Sequence, residues 1–129
     1  MAITPNFTKT PRTERGLLSV ANTNRDGTGT TVSLFIAHPT LGSRVERITI
    51  TATDTTTNGM IRFYIFDGIN TDLKLEITVS AITPSSTVKA FTFEVINLGW
   101  IIAAGKSIKA STHNSENFRI IVEGGDFDV

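Results

Sequence analysis

Apolar and polar residues alternate over long stretches of this sequence, and that alternation restricts its fold more than any other feature. Over residues 73–81 the odd-numbered positions are apolar and the even-numbered ones are polar or charged. A period of two places the two sets on opposite faces of a β-strand. The chain also holds 21 threonines beside many isoleucines and valines, and β-branched side chains favour strands over helices. The sequence therefore predicts an all-β chain.

Eight segments carry this alternation or a short apolar run, and turn-forming Gly, Pro, Asn and Asp residues separate them. The segments are 17–21, 32–36, 48–52, 61–65, 73–81, 91–95, 108–110 and 118–122. Short strands with turns about every 10–15 residues are typical of sandwiches and barrels. We expect an antiparallel β-sandwich, with an eight-stranded jelly roll as the first architecture and an immunoglobulin-like sandwich as the second.

One segment, residues 60–66, is apolar at both parities. A strand that is apolar on both faces is buried on both faces. We therefore expect it to lie centrally in its sheet or to be covered on its second face by a partner.

The chain is expected to form one domain, residues 17–129, preceded by an extended N-terminal arm, residues 1–16. The arm holds two prolines and shows no apolar alternation, so it is predicted to lie outside the core and to be dispensable for folding.

The two ends of the chain carry opposite charge. Residues 1–25 have a net charge of +3, with Lys9, Arg12 and Arg15 in the arm, and residues 123–129 have a net charge of −3, with Asp126 and Asp128 in the tail. One interpretation is two solvated ends. The other is that these five residues form a protein-interaction site, in which the arm orders against an acidic surface on a neighbouring copy or a larger partner.

Composition excludes several classes of site. The chain has no cysteine, which excludes disulfides, thiolate metal sites and a thiol nucleophile. Twelve basic residues balance twelve acidic ones, so bulk electrostatic capture of nucleic acid is not expected. No apolar run reaches the length of a membrane helix, and the first residues lack the pattern of a secretory signal. We expect neither a nucleic-acid nor a membrane partner.

Two segments superficially match ligand-binding loops. Residues 99–107, Gly-Trp-Ile-Ile-Ala-Ala-Gly-Lys-Ser, have five residues between the glycines where a phosphate loop has four, and a strand pattern follows. We expect a strand–turn–strand with Gly105 at the bend. Residues 22–27 echo a calcium loop, but Ser33 stands where such a loop needs a glutamate, and Arg25 adds a cation. We expect an Asx-rich turn and no cofactor or metal.

Catalysis finds little support in the residue pattern. The two histidines, His38 and His113, both lie in connections, and no Gly-x-Ser-x-Gly elbow occurs. We expect that the protein is not an enzyme. A carbohydrate- or receptor-binding module is an alternative, but the aromatic platform it needs would have to use the one tryptophan, Trp100, or the one tyrosine, Tyr64.

Several strand and turn segments resemble a group of small structural proteins of tailed-bacteriophage and prophage virions. The resemblance covers roughly Asn22 to Phe127, and Ala103-Ala104-Gly105 departs from the usual Pro-Ala-Gly turn. The segments are 44–50, 55–62, 66–68, 83–87, 104–107, 110–114 and 122–127.

The resemblance implies a capsid decoration or cement protein that binds and stabilises the capsid exterior. It implies the major capsid protein and further copies of this chain as partners, with a trimer as the first expectation. It also implies synthesis in the host cytoplasm and location on the virion surface. The alternative is a carbohydrate- or receptor-binding β-sandwich module of a phage fibre or tail.

Overall fold

The computed structural model describes residues 10–127, and all their regular structure is β-strand. Two antiparallel sheets form a sandwich, which confirms the predicted β-sandwich. The nine strands are β1 (Thr10–Leu18), β2 (Val32–Ile36), β3 (Ser43–Ala52), β4 (Gly59–Phe66), β5 (Thr71–Val79), β6 (Thr92–Val95), β7 (Trp100–Ile102), β8 (Ser107–Thr112) and β9 (Phe118–Asp126).

The strands divide into a sheet of order β1-β9-β3-β6, in which β7 also pairs with β3, and a sheet of order β2-β8-β4-β5. β6 pairs with residues 48–51 of β3 and β7 pairs with residues 43–45, so the two lie end to end along one edge. Between β6 and β7 the extended conformation is interrupted at Asn97 and Gly99, which both have positive φ. Nine strands therefore occupy eight positions. β7 was predicted only as the first part of the strand–turn–strand around Gly105 and was not counted among the eight segments.

The core lies between the sheets and is built mostly from the predicted inward parity. Two predicted core residues are exposed, Ile36, which follows a bulge in β2, and Phe93 of β6, and Phe35 is buried in place of Ile36. Ile48 and Ile50 of β3 and Ile120 of β9 are fully buried on one sheet, and Ile61 and Phe63 of β4 are fully buried on the other. Burying such side chains is the main favourable term in folding. Phe91 and Phe118 also meet edge to face at one end of the core, with ring centroids 6.3 Å apart.

The N-terminal boundary differs from the prediction. Residues 10–16, which were assigned to the arm, form most of β1, and β1 pairs with β9 from Thr10↔Asp126 to Leu18↔Phe118. They escaped detection because two inward positions carry the charged residues Arg12 and Glu14 in place of apolar ones. Residues 1–9 lie outside the described residues.

The middle of the second face of β4, at Arg62 and Tyr64, is covered by the chain itself, while Met60 and Phe66 at its ends are half-buried. β4 is an interior strand, as predicted. The β1–β2 loop, residues 19–31, crosses the outer face of its sheet: the Asn22 N–H donates to the Thr112 carbonyl at 2.8 Å, and the Tyr64 hydroxyl donates to the Asn24 carbonyl at 3.1 Å. Tyr64 is fully buried as a result.

An ion network fastens this loop to the sheet. Glu76 of β5 accepts hydrogen bonds from Arg25 of the loop at 2.7 Å and from Arg62 of β4 at 3.1 Å. Arg62 is buried, so Glu76 supplies the counter-charge that makes its burial tolerable. The hydrogen bond from Arg25 is the main reason that the pKa of Glu76 lies below its ordinary value, and Arg62 adds to the effect.

Candidate protein-interaction surface

Arg12 and Asp126, two of the five residues predicted to contact a partner, contact each other within one chain. Arg12 Nη1 lies 3.0 Å from Asp126 Oδ1 and donates to the Ile36 carbonyl of β2 at 2.6 Å. The Arg12 guanidinium also binds Glu14 and stacks over the Phe35 ring, 4.1 Å from its centroid. Its donors and one of its faces are thus used to join β1, β9 and β2.

Asp126 is held in the charged form by its neighbours. Ser43 Oγ donates to Asp126 Oδ1 at 2.6 Å, next to the bond from Arg12. Partial burial works in the opposite direction, but these two hydrogen bonds hold the pKa of Asp126 below its ordinary value. Burial likewise opposes the shift of Arg12, and its carboxylate partners raise its pKa. The Arg12–Asp126 ion pair therefore has a structural role, joining β1 to β9 at the end of the sheet.

Arg15 has a different environment from Arg12. It points outward from β1 and lies opposite Ile121 of β9, while Leu17 lies opposite Arg119. On the outer face of the sheet, each of the two cations, Arg15 and Arg119, therefore lies opposite an apolar side chain on the neighbouring strand. Ile121 is 42% exposed and Leu17 is 48% exposed.

A shallow depression lies at these residues, between β1 and β9. We call it the β1–β9 groove: its volume is about 350 Å³, and it is lined by Thr13, Arg15, Gly16, Arg119, Ile120 and Ile121. Among residues 10–127, no carboxylate oxygen lies within 4.0 Å of the Arg15 or Arg119 guanidinium. The groove thus offers apolar area between two cations that have no ion-pair partner in the described part of the chain.

The groove suits a partner surface with an apolar centre and flanking carboxylates. A guanidinium binds a carboxylate with two parallel hydrogen bonds, which orients as well as attracts it. Exposed apolar side chains grouped on one face supply the area that an interface buries.

The remaining predicted site residues, Lys9 and Asp128, lie outside the described residues. Leu17, Arg119 and Ile121 were not predicted as surface residues of one site. Only the pairing of β1 with β9 brings them together, and local patterning carries no signal for a register between residues about 100 positions apart.

A serine, a histidine and an aspartate come close at the end of the sandwich, in an order that does not match a catalytic triad. Ser43 Oγ donates directly to Asp126, and the His38 ring accepts the Leu41 N–H at 3.1 Å to close a turn. A triad requires the imidazole between the hydroxyl and the carboxylate. His113 lies at the other end of β8, where its Nδ1 is 3.5 Å from Arg62 Nη1.

The two segments that echo ligand loops are turns. Gly105, with φ of 83°, lies at the bend between β7 and β8, as predicted, although these strands belong to different sheets. In residues 22–27, Asn22 donates to the carbonyls of Thr28 and Thr30, and Asp26 accepts from the Thr28 N–H. Within residues 10–127, no group of three or more His, Cys, Asp or Glu side chains could hold a metal ion.

Comparisons with known proteins give distant likenesses. No family model matches the chain, and no curated protein matches it either. A chain of the cyanophage Pam1 capsid asymmetric unit is 15% identical with a TM-score of 0.47, covering 96% of this chain and 90% of that one. A pentameric capsid protein isolated from metagenomic phage sequences is 21% identical with a TM-score of 0.45, covering 99% of this chain and 66% of that one. At these TM-scores, neither likeness assigns a family or a function to the chain.

The two aromatic residues that a sugar-binding platform would need are both engaged. Tyr64 is fully buried beneath the β1–β2 loop. Trp100 packs partly against the core, and the Lys74 ammonium lies over its ring at 5.2 Å from the centroid.

Among residues 10–127, no helix is long and apolar enough to cross a membrane.

Proposed function

We propose that this chain is a bacteriophage virion structural protein, a decoration or cement subunit that binds and stabilises the capsid exterior. The observation that carries the proposal is the β1–β9 groove, which holds the exposed side chain of Ile121 together with Arg15 and Arg119. Leu17, also exposed, lies beside the groove, opposite Arg119. An adhesion subunit requires such a surface on a rigid body and requires no catalytic site.

The order of the strands supports the proposal. With β6 and β7 counted as one interrupted strand, the sheets have the orders 1-8-3-6 and 2-7-4-5. This is the strand order of a jelly roll, an architecture used by viral capsid domains and also by lectins. The resemblance of residues 22–127 to small phage virion proteins favours the first of these uses.

The mechanism is adhesion. We propose that the groove binds an acidic, partly apolar surface, on the major capsid protein or on a further copy of the chain. Many weak contacts then act together, because a shell presents the same site many times. The protein would be made in the host cytoplasm and would end on the virion surface.

The first test is mass spectrometry of purified virions, with the copy number measured against the major capsid protein. We expect the protein at a fixed ratio to the shell subunit. Its absence from virions would contradict the proposal.

The second test is binding of the purified protein to shells that lack it, measured by cosedimentation. Reversing both groove cations, Arg15→Glu with Arg119→Glu, is expected to reduce occupancy at least about tenfold, since two attractive contacts become repulsive. Arg15→Glu alone is compared with Lys89→Glu, a single reversal of an exposed cation outside the groove, in the β5–β6 connection. Equal occupancy by the groove variant and the control would remove the groove from the mechanism.

A further inference from the structure

The turn between β4 and β5 presents an isolated apolar side chain. Ile69 is 89% exposed, more than any other large hydrophobic residue in the described part of the chain. An aliphatic side chain at the tip of a turn contributes nothing to the core, and its exposure has an unfavourable hydration cost. We call residues 67–72 the β4–β5 tip.

The tip holds Ile69 in a fixed position. Asp67 Oδ1 accepts the N–H groups of Ile69 at 2.9 Å and of Asn70 at 2.6 Å, and the Asp67 N–H donates to the Asn70 carbonyl at 3.1 Å. Gly68, with φ of 100°, makes the sharp turn possible. Because the turn is already ordered, little conformational entropy is lost when Ile69 enters a binding surface.

Two aspartates, Asp67 and Asp72, flank Ile69 in the sequence. The backbone hydrogen bonds from Asn70 and Ile69 lower the pKa of Asp67, so it stays anionic, although Lys106 lies close enough to contribute to that shift. Asp72 is exposed, and within residues 10–127 no basic nitrogen lies within 4.0 Å of its carboxylate. The tip thus presents one exposed apolar side chain on a segment that carries two negative charges.

The β1–β9 groove has the complementary pattern, with apolar area between two positive charges. The tip cannot reach it within one chain: β4 ends at Phe66, paired with Ser107 in one sheet, whereas Ile121 lies on the outer face of the other sheet. The two surfaces can meet only between copies.

We propose that the β4–β5 tip of one copy seats Ile69 in the β1–β9 groove of a second copy, with Asp67 and Asp72 facing Arg15 and Arg119. The inference rests on the proposed function, because it names the partner of the same groove. The contact joins two different surfaces, so it propagates from copy to copy and closes into a ring or grows into an open array. A turn in a shallow groove buries less than the roughly 1,200 Å² of a stable complex, so the contact is weak between free subunits and gains strength from repetition on a shell.

The test is self-association of the purified full chain at low salt, followed by sedimentation velocity. Asp72→Arg and Arg15→Glu each place like charges together in contacts between identical copies, so each is expected to weaken association about tenfold or more. An equimolar mixture of the two variants is expected to associate within about threefold of the wild type, for two reasons. The unaltered tip of Arg15→Glu meets the unaltered groove of Asp72→Arg, and in the other contact the introduced arginine faces the introduced glutamate. A parallel mixture uses Arg119→Glu, and restoration by either mixture supports the proposal. If neither mixture associates better than its separate variants, the proposal is overturned.

A second comparison tests the apolar part of the contact. Ile69→Ser is expected to weaken association about tenfold, whereas Val88→Ser, at a residue 48% exposed in the β5–β6 connection, is expected to leave it unchanged. Circular dichroism and thermal unfolding verify that each variant is folded. A wild-type protein that stays monomeric at millimolar concentration would overturn the inference.

The virion measurements separate this inference from the proposed function. If self-association fails while the protein is still found on virions and binds shells, only the tip-in-groove contact is wrong. If the protein is absent from virions while the variant mixtures behave as expected, the contact stands and the proposed function falls.

Discussion

Arg12 of β1 and Asp126 of β9 form an ion pair within one chain, with Nη1 and Oδ1 3.0 Å apart. The opposite charges near the two ends of the chain suggested contacts between copies. The structure uses this pair to fasten an edge strand to its own sheet, and the Arg12 guanidinium also covers the Phe35 ring. The charge asymmetry of the chain is therefore partly neutralised within the chain, whereas Arg15 and Arg119 have no ion-pair partner among the described residues.

We expect Arg12→Met to lower the free energy of unfolding by about 1–3 kcal/mol, because Asp126 and the Ile36 carbonyl lose a charged donor while the aliphatic packing is kept. Urea denaturation measures the change. A double-mutant cycle with Asp126→Asn isolates the pair, and Arg15→Met is the matched control, expected to stay within about 0.5 kcal/mol of the wild type. A loss in the control as large as in Arg12→Met would contradict the assignment.

Acid is expected to destabilise the protein in a way that Asp126→Asn reduces. Ser43 and Arg12 hold the pKa of folded Asp126 below its ordinary 3.8, against the opposing effect of burial. A depressed folded pKa stabilises the protein above the unfolded value, and this stability is lost as pH falls through the folded value. Chemical denaturation from about pH 6 downward should show stability falling below about pH 4 in the wild type and falling less steeply in the variant. If the free energy of unfolding falls equally steeply with pH in the wild type and in the variant, Asp126 has the same pKa in the folded and unfolded states.

Glu76→Gln is expected to loosen the β1–β2 loop. It leaves the buried guanidinium of Arg62 without its counter-charge, so we expect a loss of about 2 kcal/mol in unfolding free energy. Amide hydrogen exchange gives a local readout: the Asn22 N–H, bonded to the Thr112 carbonyl, should exchange faster. Arg25→Gln, which removes only the exposed partner of Glu76, is the control and should have the smaller effect on both measurements.

The fold class could be predicted from the sequence because alternation reports directly which side of a strand is buried. In the sequence, residues 73–81 alternate cleanly, and β5 places Ile77 and Val79 in the core. Leu73 of the same parity is exposed, beyond a bulge in the pairing of β4 with β5. The same rule missed β1, where the inward side chain of Arg12 is tolerated at the sheet edge because Asp126 neutralises it. The alternation of apolar and polar residues does not take account of an ion pair between distant positions.

The candidate site could be predicted only in part. Arg15 was identified from its charge, but its neighbours Ile121 and Arg119 come from the far end of the chain and depend on the register of β9. The apolar second face of β4 was identified correctly, yet its cover came from the β1–β2 loop, whose position depends on long-range contacts such as Tyr64 with Asn24. Local patterns specify that a face is buried, and tertiary packing decides what buries it.

Two N-terminal deletions of different length test where the domain begins. Deleting residues 2–16 removes the β1 pairings from Thr10↔Asp126 to Gly16↔Ile120 together with the Arg12–Asp126 ion pair. Deleting residues 2–9 leaves these pairings in place. We expect the longer deletion to lower the free energy of unfolding by at least about 3 kcal/mol more than the shorter one. It should also promote aggregation, because it exposes the edge of β9. Thermal and urea unfolding of the two proteins give the comparison, and equal stability would restore the domain boundary at residue 17.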